Sequence, residues 1–69
     1  MPYINVRLLD DLITIEQKTE IIRRFTETMV EVLNKEPEHT FVVIDEVSKD
    51  NWGVAGMTVA QRRSNRLKE

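Results

Sequence analysis

The fold of this chain is decided by the stretch TIEQKTEIIRRFTETMVEVL, residues 14–33. Its apolar residues recur at helical spacing and its charged residues fall on the opposite face, as in an amphipathic helix. Thr14, followed by Gln17 three residues later, forms a capping box at the start. Asn34 suits the end of a helix, and Pro37 prevents continuation soon after. We therefore predict a helix over about residues 15–33.

A strand is predicted on each side of this helix. Residues 1–9 alternate between two faces, and Pro2 is tolerated there because a strand can begin with proline. The run FVVI, residues 41–44, is rich in β-branched residues and apolar on both faces, with Asp45 and Glu46 flanking it. Such a run is typical of a strand that is buried on both sides.

The remainder of the chain carries turn signals and a basic end. Residues 48–51 predict a turn, and residues 52–57, with two glycines, predict a tight hairpin. After Val59 the pattern is weak, and we expect a short helix or a frayed tail. Residues 61–69 hold four basic residues against one acidic residue, which favours a solvated basic tail ahead of an anion site.

This order of elements predicts an α+β fold in one domain, residues 1–69. A strand, a long helix and a second strand form a β–α–β unit, whose strands pair in parallel, and a short β-hairpin follows. One helix cannot cover both faces of the sheet. A chain of this size is marginal alone, and it has no cysteine for disulfides. We expect oligomerisation to complete the fold.

Composition excludes several classes of function. The net charge of -2 gives no general attraction to nucleic acid. The sequence has no apolar run of membrane-spanning length and no secretory signal, so we expect no membrane association and a cytoplasmic location. With no cysteine and one histidine, His39, it offers no thiolate or multi-histidine metal site. We interpret His39 as a loop residue without a special role.

The usual catalytic sets are nearly absent, which directs attention to Pro2. Removal of Met1 would leave Pro2 with a free secondary amine. An α-amino group has a pKa of about 7.7–8.0, and burial or nearby cations lower it. A neutral amine with a pKa close to ambient pH suits general-base catalysis. Trp52, beside Gly53, either packs in a core or interface or forms the wall of a pocket.

Four pieces of sequence, in this order and spacing, resemble the oxalocrotonate tautomerase family. They are PYINV (2–6), EQK (16–18), VIDEV (43–47) and NWGVAG (51–56). The resemblance implies a hexamer, a trimer of dimers, whose sites draw residues from neighbouring subunits. It also implies proton transfer without a cofactor, in which the amino-terminal proline isomerises a small enol or dienol acid to the keto acid. The matching base here is Pro2.

The family's other site residues match this chain only in part. The loop before the helix, where members carry an arginine, is residues 10–13 here and has none. A second arginine of the family falls on Phe41, and an aromatic pocket residue falls on Trp52. The resemblance therefore keeps the base and the aromatic wall but not the two arginines that bind the substrate's carboxylates.

Two interpretations of the missing arginines stay open. In the first interpretation, another basic group replaces them. Arg7 on the first strand is the first candidate, and the arginines of residues 61–69 are the next candidates. Alternatively, the substrate is less anionic and more apolar, which Phe41, Ile13 and Trp52 would suit.

The sequence thus predicts an isomerase with Pro2 as its catalytic residue and with Trp52, Arg7 and Phe41 as candidates for substrate binding. The rival hypothesis is a non-catalytic β–α–β module for oligomerisation or small-ligand binding. The missing arginines support that rival. The Met-Pro start and Trp52 argue against it, because a scaffold needs neither.

Overall fold

A computed structural model describes residues 1–68, with side-chain exposure through residue 66. Two strands and one long helix make up its main unit. They are β1 (Tyr3–Leu9), α1 (Ile15–Leu33) and β2 (Phe41–Val47), with a 3-10 turn at Pro37–His39 before β2. A second 3-10 turn, Lys49–Asn51, leads into the hairpin strands β3 (Gly53–Val54) and β4 (Met57–Thr58), and α2 (Val59–Lys68) follows.

The two long strands are parallel, in a register that runs from Tyr3 opposite Phe41 to Leu9 opposite Val47. The hydrogen bonds continue beyond both ends of β1. The Phe41 N–H donates to the Pro2 carbonyl at 3.0 Å, and the Asp10 N–H donates to the Val47 carbonyl at 2.8 Å. The predicted α+β class, with a parallel β–α–β unit and a C-terminal hairpin, is confirmed.

The helix α1 begins and ends where its capping residues predict. The Gln17 N–H donates to Thr14 Oγ1 at 3.1 Å, and the Thr14 N–H donates to Gln17 Oε1 at 2.9 Å, so the capping box is complete. Asn34 adopts the left-handed conformation at φ 55°, and its N–H donates to the Val30 carbonyl at 3.0 Å. These local hydrogen bonds satisfy backbone groups that a helix end leaves without partners.

The strand β2 is longer than the apolar run FVVI predicts, and the placement of Asp45 and Glu46 beside the strand on that pattern was wrong, whereas the resemblance, which puts VIDEV (43–47) in the second strand, was right. Both residues lie within β2. Asp45 Oδ2 accepts a hydrogen bond from Asn5 Nδ2 on β1 at 2.8 Å, and Glu46 forms an ion pair with Lys18 on α1. These partners satisfy the carboxylates inside the strand, which the sequence pattern of β2 alone does not reveal.

The C-terminal segment forms a hairpin and a short helix. Ala55 and Gly56, with φ values of 53° and 80°, connect two antiparallel strands; positive φ at both central residues gives the turn that matches strand twist. A second capping box, between Thr58 and Gln61, then starts α2. Of the two expectations for this end, the structure has the short helix.

One chain by itself lacks a core. None of the described residues is buried, and the accessible surface of 5569 Å² exceeds the about 4,500 Å² expected for a folded monomer of this mass. The radius of gyration is 16.2 Å, against about 11 Å for a compact chain of this length. The helix covers one face of the sheet. The other, the open face, carries Tyr3, Asn5, Arg7, Phe41, Val43 and Asp45.

Candidate active site

Pro2 lies at the head of the first parallel strand. Its carbonyl accepts the Phe41 N–H, so the residue is joined to the start of β2 although β1 itself begins at Tyr3. Pro2 is half-buried, whereas Met1 before it is 83% exposed. Because the ring fixes φ and the carbonyl is held in the sheet, the position of the Pro2 nitrogen is set by the backbone. Removal of Met1 would leave this hydrogen bond in place.

Phe41 is the predicted site residue that the structure brings next to Pro2. Its backbone bonds to Pro2, and it lies opposite Tyr3 in the register of the sheet. Its side chain is on the open face, and the residue is 45% exposed in one chain. Pro2, Tyr3 and Phe41 therefore lie together at the amino-terminal end of the sheet.

Trp52 lies beyond the carboxyl-terminal end of the two long strands, away from Pro2. It follows β2, which extends about 20 Å beyond Phe41 at 3.3 Å per residue. Its carbonyl accepts the Val59 N–H at 2.9 Å, which joins it to the start of α2. Arg63 of α2 in turn bonds to Asp11, just after β1. One chain therefore does not bring Trp52 to its own Pro2.

Arg7 is on the open face but is separated from Pro2 along β1 by about 16 Å. Its guanidinium is 3.6 Å from the Asp45 carboxylate, and its side chain is 67% exposed. Asp45 also accepts the hydrogen bond from Asn5. One chain thus places Arg7 in a small polar group with Asp45 and Asn5, and does not bring it next to Pro2.

The segment between β1 and α1 is where the loop arginine of the family would fall. Leu12 there has a φ of 63° and is 92% exposed, while Ile13 is half-buried. Asp11 accepts two hydrogen bonds from the Arg63 guanidinium, each of 3.1 Å. This contact lowers the pKa of Asp11 and raises that of Arg63. Sequence reasoning missed it because the two residues are far apart in the chain.

An ion pair between Lys18 and Glu46 attaches α1 to β2 on the helix-covered face. The hydrogen bond from Lys18 lowers the pKa of the Glu46 carboxyl below its ordinary value, against a smaller opposing effect of desolvation. A carboxyl whose pKa is lowered on folding contributes stability above its unfolded pKa, about 4.3 for Glu. That contribution is lost as the pH falls through the lower folded-state value.

We therefore expect Glu46→Gln and Lys18→Met each to lower stability at neutral pH and to flatten its decline below about pH 4.3. Urea unfolding at fixed protein concentration, from pH 7 to pH 3, measures both effects. The double variant should add little to either single one, since each single change already removes the ion pair. An equally steep acid decline in the wild type and Glu46→Gln would contradict this expectation.

Within the described residues, no three acidic or histidine side chains come together as metal ligands would. Among the same residues, neither helix combines the length and the apolar character that a bilayer crossing requires.

Fold and site together define a class: an α+β subunit of β–α–β type, with a proline at the head of its first parallel strand. Residues 2–62 match the family model described as tautomerase enzyme. A Dickeya dadantii protein named "Probable tautomerase K2" is 46% identical over 91% of this chain and 94% of its own. The 2-hydroxymuconate tautomerase of Bacillus subtilis is 38% identical, and the match covers 81% of this chain and 89% of that protein.

The structure is also similar to solved tautomerase structures. A 4-oxalocrotonate tautomerase isozyme from Methylibium petroleiphilum is 33% identical with a TM-score of 0.84, covering 93% of this chain and 98% of that one. The DmpI protein of Helicobacter pylori is 38% identical with a TM-score of 0.80, and the match covers 91% of this chain and 97% of that one. This chain therefore belongs to the tautomerase family. It is an isomerase of the 4-oxalocrotonate tautomerase type, and the resemblance in its sequence is confirmed.

Proposed function

We propose that this chain, once Met1 is removed, uses the amine of Pro2 as the general base in keto–enol proton transfer on a small enol or dienol acid. No cofactor takes part in the proposed reaction, and the proposed location is the cytoplasm. The observation that carries the proposal is the position of Pro2, held at the sheet edge by its bond to Phe41 in a chain of the tautomerase family.

The proposed base has suitable chemistry. A terminal amine has a pKa of about 7.7–8.0, so a modest decrease leaves much of it neutral at pH 7. A neighbourhood containing Phe41 and Tyr3 disfavours the charged form once another subunit covers it. The neutral amine takes a proton from the enol hydroxyl or the adjacent carbon, and the resulting ammonium returns it to the other position, so that the amine is regenerated.

We propose that each site is shared between subunits of a homo-oligomer, a hexamer arranged as a trimer of dimers. Pro2 and Phe41 lie at the amino-terminal end of the strands, and Trp52 lies beyond their carboxyl-terminal end. We therefore propose that Trp52 of a neighbouring subunit completes the pocket over Pro2. The open face favours association because it carries exposed apolar residues: Tyr3 is 64% exposed and Val43 is 41% exposed in one chain. Burial of such apolar surface is the main force in association.

Three residues are proposed to contact the substrate. Phe41 and Trp52 would enclose the planar conjugated part of the enol acid. Arg7 is the candidate that the sequence predicts for binding the acid group of the substrate. From the open face it could reach a substrate that is bound by another subunit. The ion pair with Asp45 weighs against this role, because a neutralised guanidinium attracts an anion less strongly.

Mixed oligomers test the shared site. We expect Pro2→Ala and Trp52→Ala each to lose most activity alone, because one lacks the fixed base and the other the pocket wall. Unfolding the two together and refolding the mixture should restore part of the activity, since some sites would then combine an intact Pro2 with an intact Trp52. Ketonisation of phenylenolpyruvate, followed spectroscopically, is the measurement.

Each single variant, refolded by itself, is the control for this recovery. A mixture no more active than the sum of its parts would contradict a shared site. Wild-type protein without any catalysed ketonisation would instead favour a non-catalytic β–α–β module.

A further inference from the structure

The helix α2 presents two arginines on one side. Arg62 and Arg66 are separated by four residues, so their Cβ atoms are about 5–6 Å apart. Like charges at this spacing destabilise a helix, and residues 59–68 contain no acidic residue to offset them. Among the described residues, the ion pairs of α2 involve Arg63 only. Within the part of α2 whose side chains the structure describes, the Arg62–Arg66 pair therefore forms a positive site without a countercharge.

These arginines border a cleft that has an apolar floor. Val54 of β3 and Val59 at the start of α2 line it together with Arg62, Arg63 and Arg66, and its volume is about 130 Å³. Guanidinium groups bind carboxylates through paired hydrogen bonds. An apolar floor beneath two guanidinium groups suits a carboxylate that carries an apolar or conjugated body. We call this feature the arginine cleft.

Two contacts fix the arginine cleft relative to Trp52. The bidentate bond from Arg63 to Asp11 holds one side of α2 against the segment after β1. The bond from the Val59 N–H to the Trp52 carbonyl holds the start of α2. Trp52 and the arginine cleft therefore belong to one connected C-terminal unit, and a neighbouring subunit that receives Trp52 receives these arginines with it.

We infer that Arg62 and Arg66 bind the carboxylate of the substrate in the shared tautomerase site. The inference rests on the proposed function and deepens it, since it assigns the acid group to α2. Arg7, the first candidate from the sequence, has the Asp45 carboxylate 3.6 Å away, whereas Arg62 and Arg66 lie on a helix without acidic residues. Arg63, engaged with Asp11, acts as a positioning residue for the cleft.

The test compares an acid substrate with its neutral ester. The probes are phenylenolpyruvate and its methyl ester, and the variants are Arg62→Gln, Arg66→Gln and the double variant. We expect the double variant to raise KM for the acid about 10- to 100-fold, the size typical of hydrogen bonds to charged groups. KM for the ester and kcat for both should change little, because uniform binding is lost rather than transition-state stabilisation.

Arg24→Gln is the matched control. It removes an arginine from the exposed surface of α1, where the side chain is 71% exposed, and it should leave KM for both probes unchanged. Arg7→Gln is the comparison with the sequence-based candidate. A rise in KM for the acid in Arg7→Gln, with no rise in the double α2 variant, would overturn the inference. A rise for acid and ester alike would overturn it too, since the cleft would then not select the carboxylate.

A binding measurement separates this inference from the proposed chemistry. Trp52 is the single tryptophan, so its fluorescence reports occupancy of the nearby cleft without any turnover. We expect 3-phenylpropionate to quench this fluorescence, and to do so about 10- to 100-fold more weakly in the double α2 variant. Its amide should quench weakly in both. Equal quenching by the acid in wild type and double variant would refute the cleft even if Pro2 proves to be the base.

Discussion

A chain that keeps a tag on the amino side of Pro2 is expected to lose about 10²- to 10⁴-fold of its ketonisation rate, the usual contribution of a general base. In that chain the Pro2 nitrogen is an amide, and an amide has no useful basicity near neutral pH. The Pro2 carbonyl still accepts the Phe41 N–H, so the sheet edge and the fold should be preserved. The rate loss would therefore report the amine and not a change of structure.

The matched control carries the same tag after residue 69, where it leaves the amine free. Intact mass shows whether Met1 has been removed in each preparation, and circular dichroism shows whether the fold is retained. The ketonisation rate of Pro2→Ala should also fall by orders of magnitude, because its amine is no longer held by a ring. Pro37→Ala, at the other proline, should keep its activity. Equal rates in the two tagged chains would rule out the amine mechanism.

The parts of the fold that were predicted well depend on local signals. The start of α1 follows from Thr14 and Gln17, whose reciprocal bonds are contained within four residues. Its end follows from Asn34 in the left-handed conformation. The same signal at Thr58 and Gln61 starts α2, and it could have decided between a helix and a frayed tail. The weak hydrophobic pattern of the segment alone does not distinguish the two, whereas the capping residues indicate a helix.

What the sequence did not predict depends on contacts between distant segments. The apolar run FVVI underestimates the length of β2 because the partner of Asp45 lies 40 residues away, on β1. The bond between Asp11 and Arg63, which holds α2 in place, joins residues 52 positions apart. No periodicity or capping rule reports such pairs. The candidate site has the same character, since Pro2 and Trp52 are distant both in sequence and in a single folded chain.

Val43→Lys is expected to dissociate the oligomer and, with it, to remove most of the activity. Val43 lies in the middle of the open face, opposite Asn5 in the register, and is 41% exposed in one chain. If a neighbouring subunit covers this face, the new charge is buried, and the nearby Asp45 carboxylate is already engaged by Arg7 and Asn5, so the change costs about 3–5 kcal/mol. The dissociation constant of each affected interface should then rise by about two to four orders of magnitude, since every 1.4 kcal/mol is a factor of about ten.

Two matched variants make the Val43 result specific. Val43→Ile keeps an apolar, β-branched residue and should retain both assembly and activity. Thr28→Lys adds the same charge on the exposed surface of α1 and should leave the sedimentation mass unchanged. Because none of the described residues is buried in a single chain, we expect dissociated Val43→Lys subunits to unfold as well as to lose activity. A Val43→Lys protein with the wild-type sedimentation mass and rate would mean that the open face faces solvent, and that the shared site must be built through another surface.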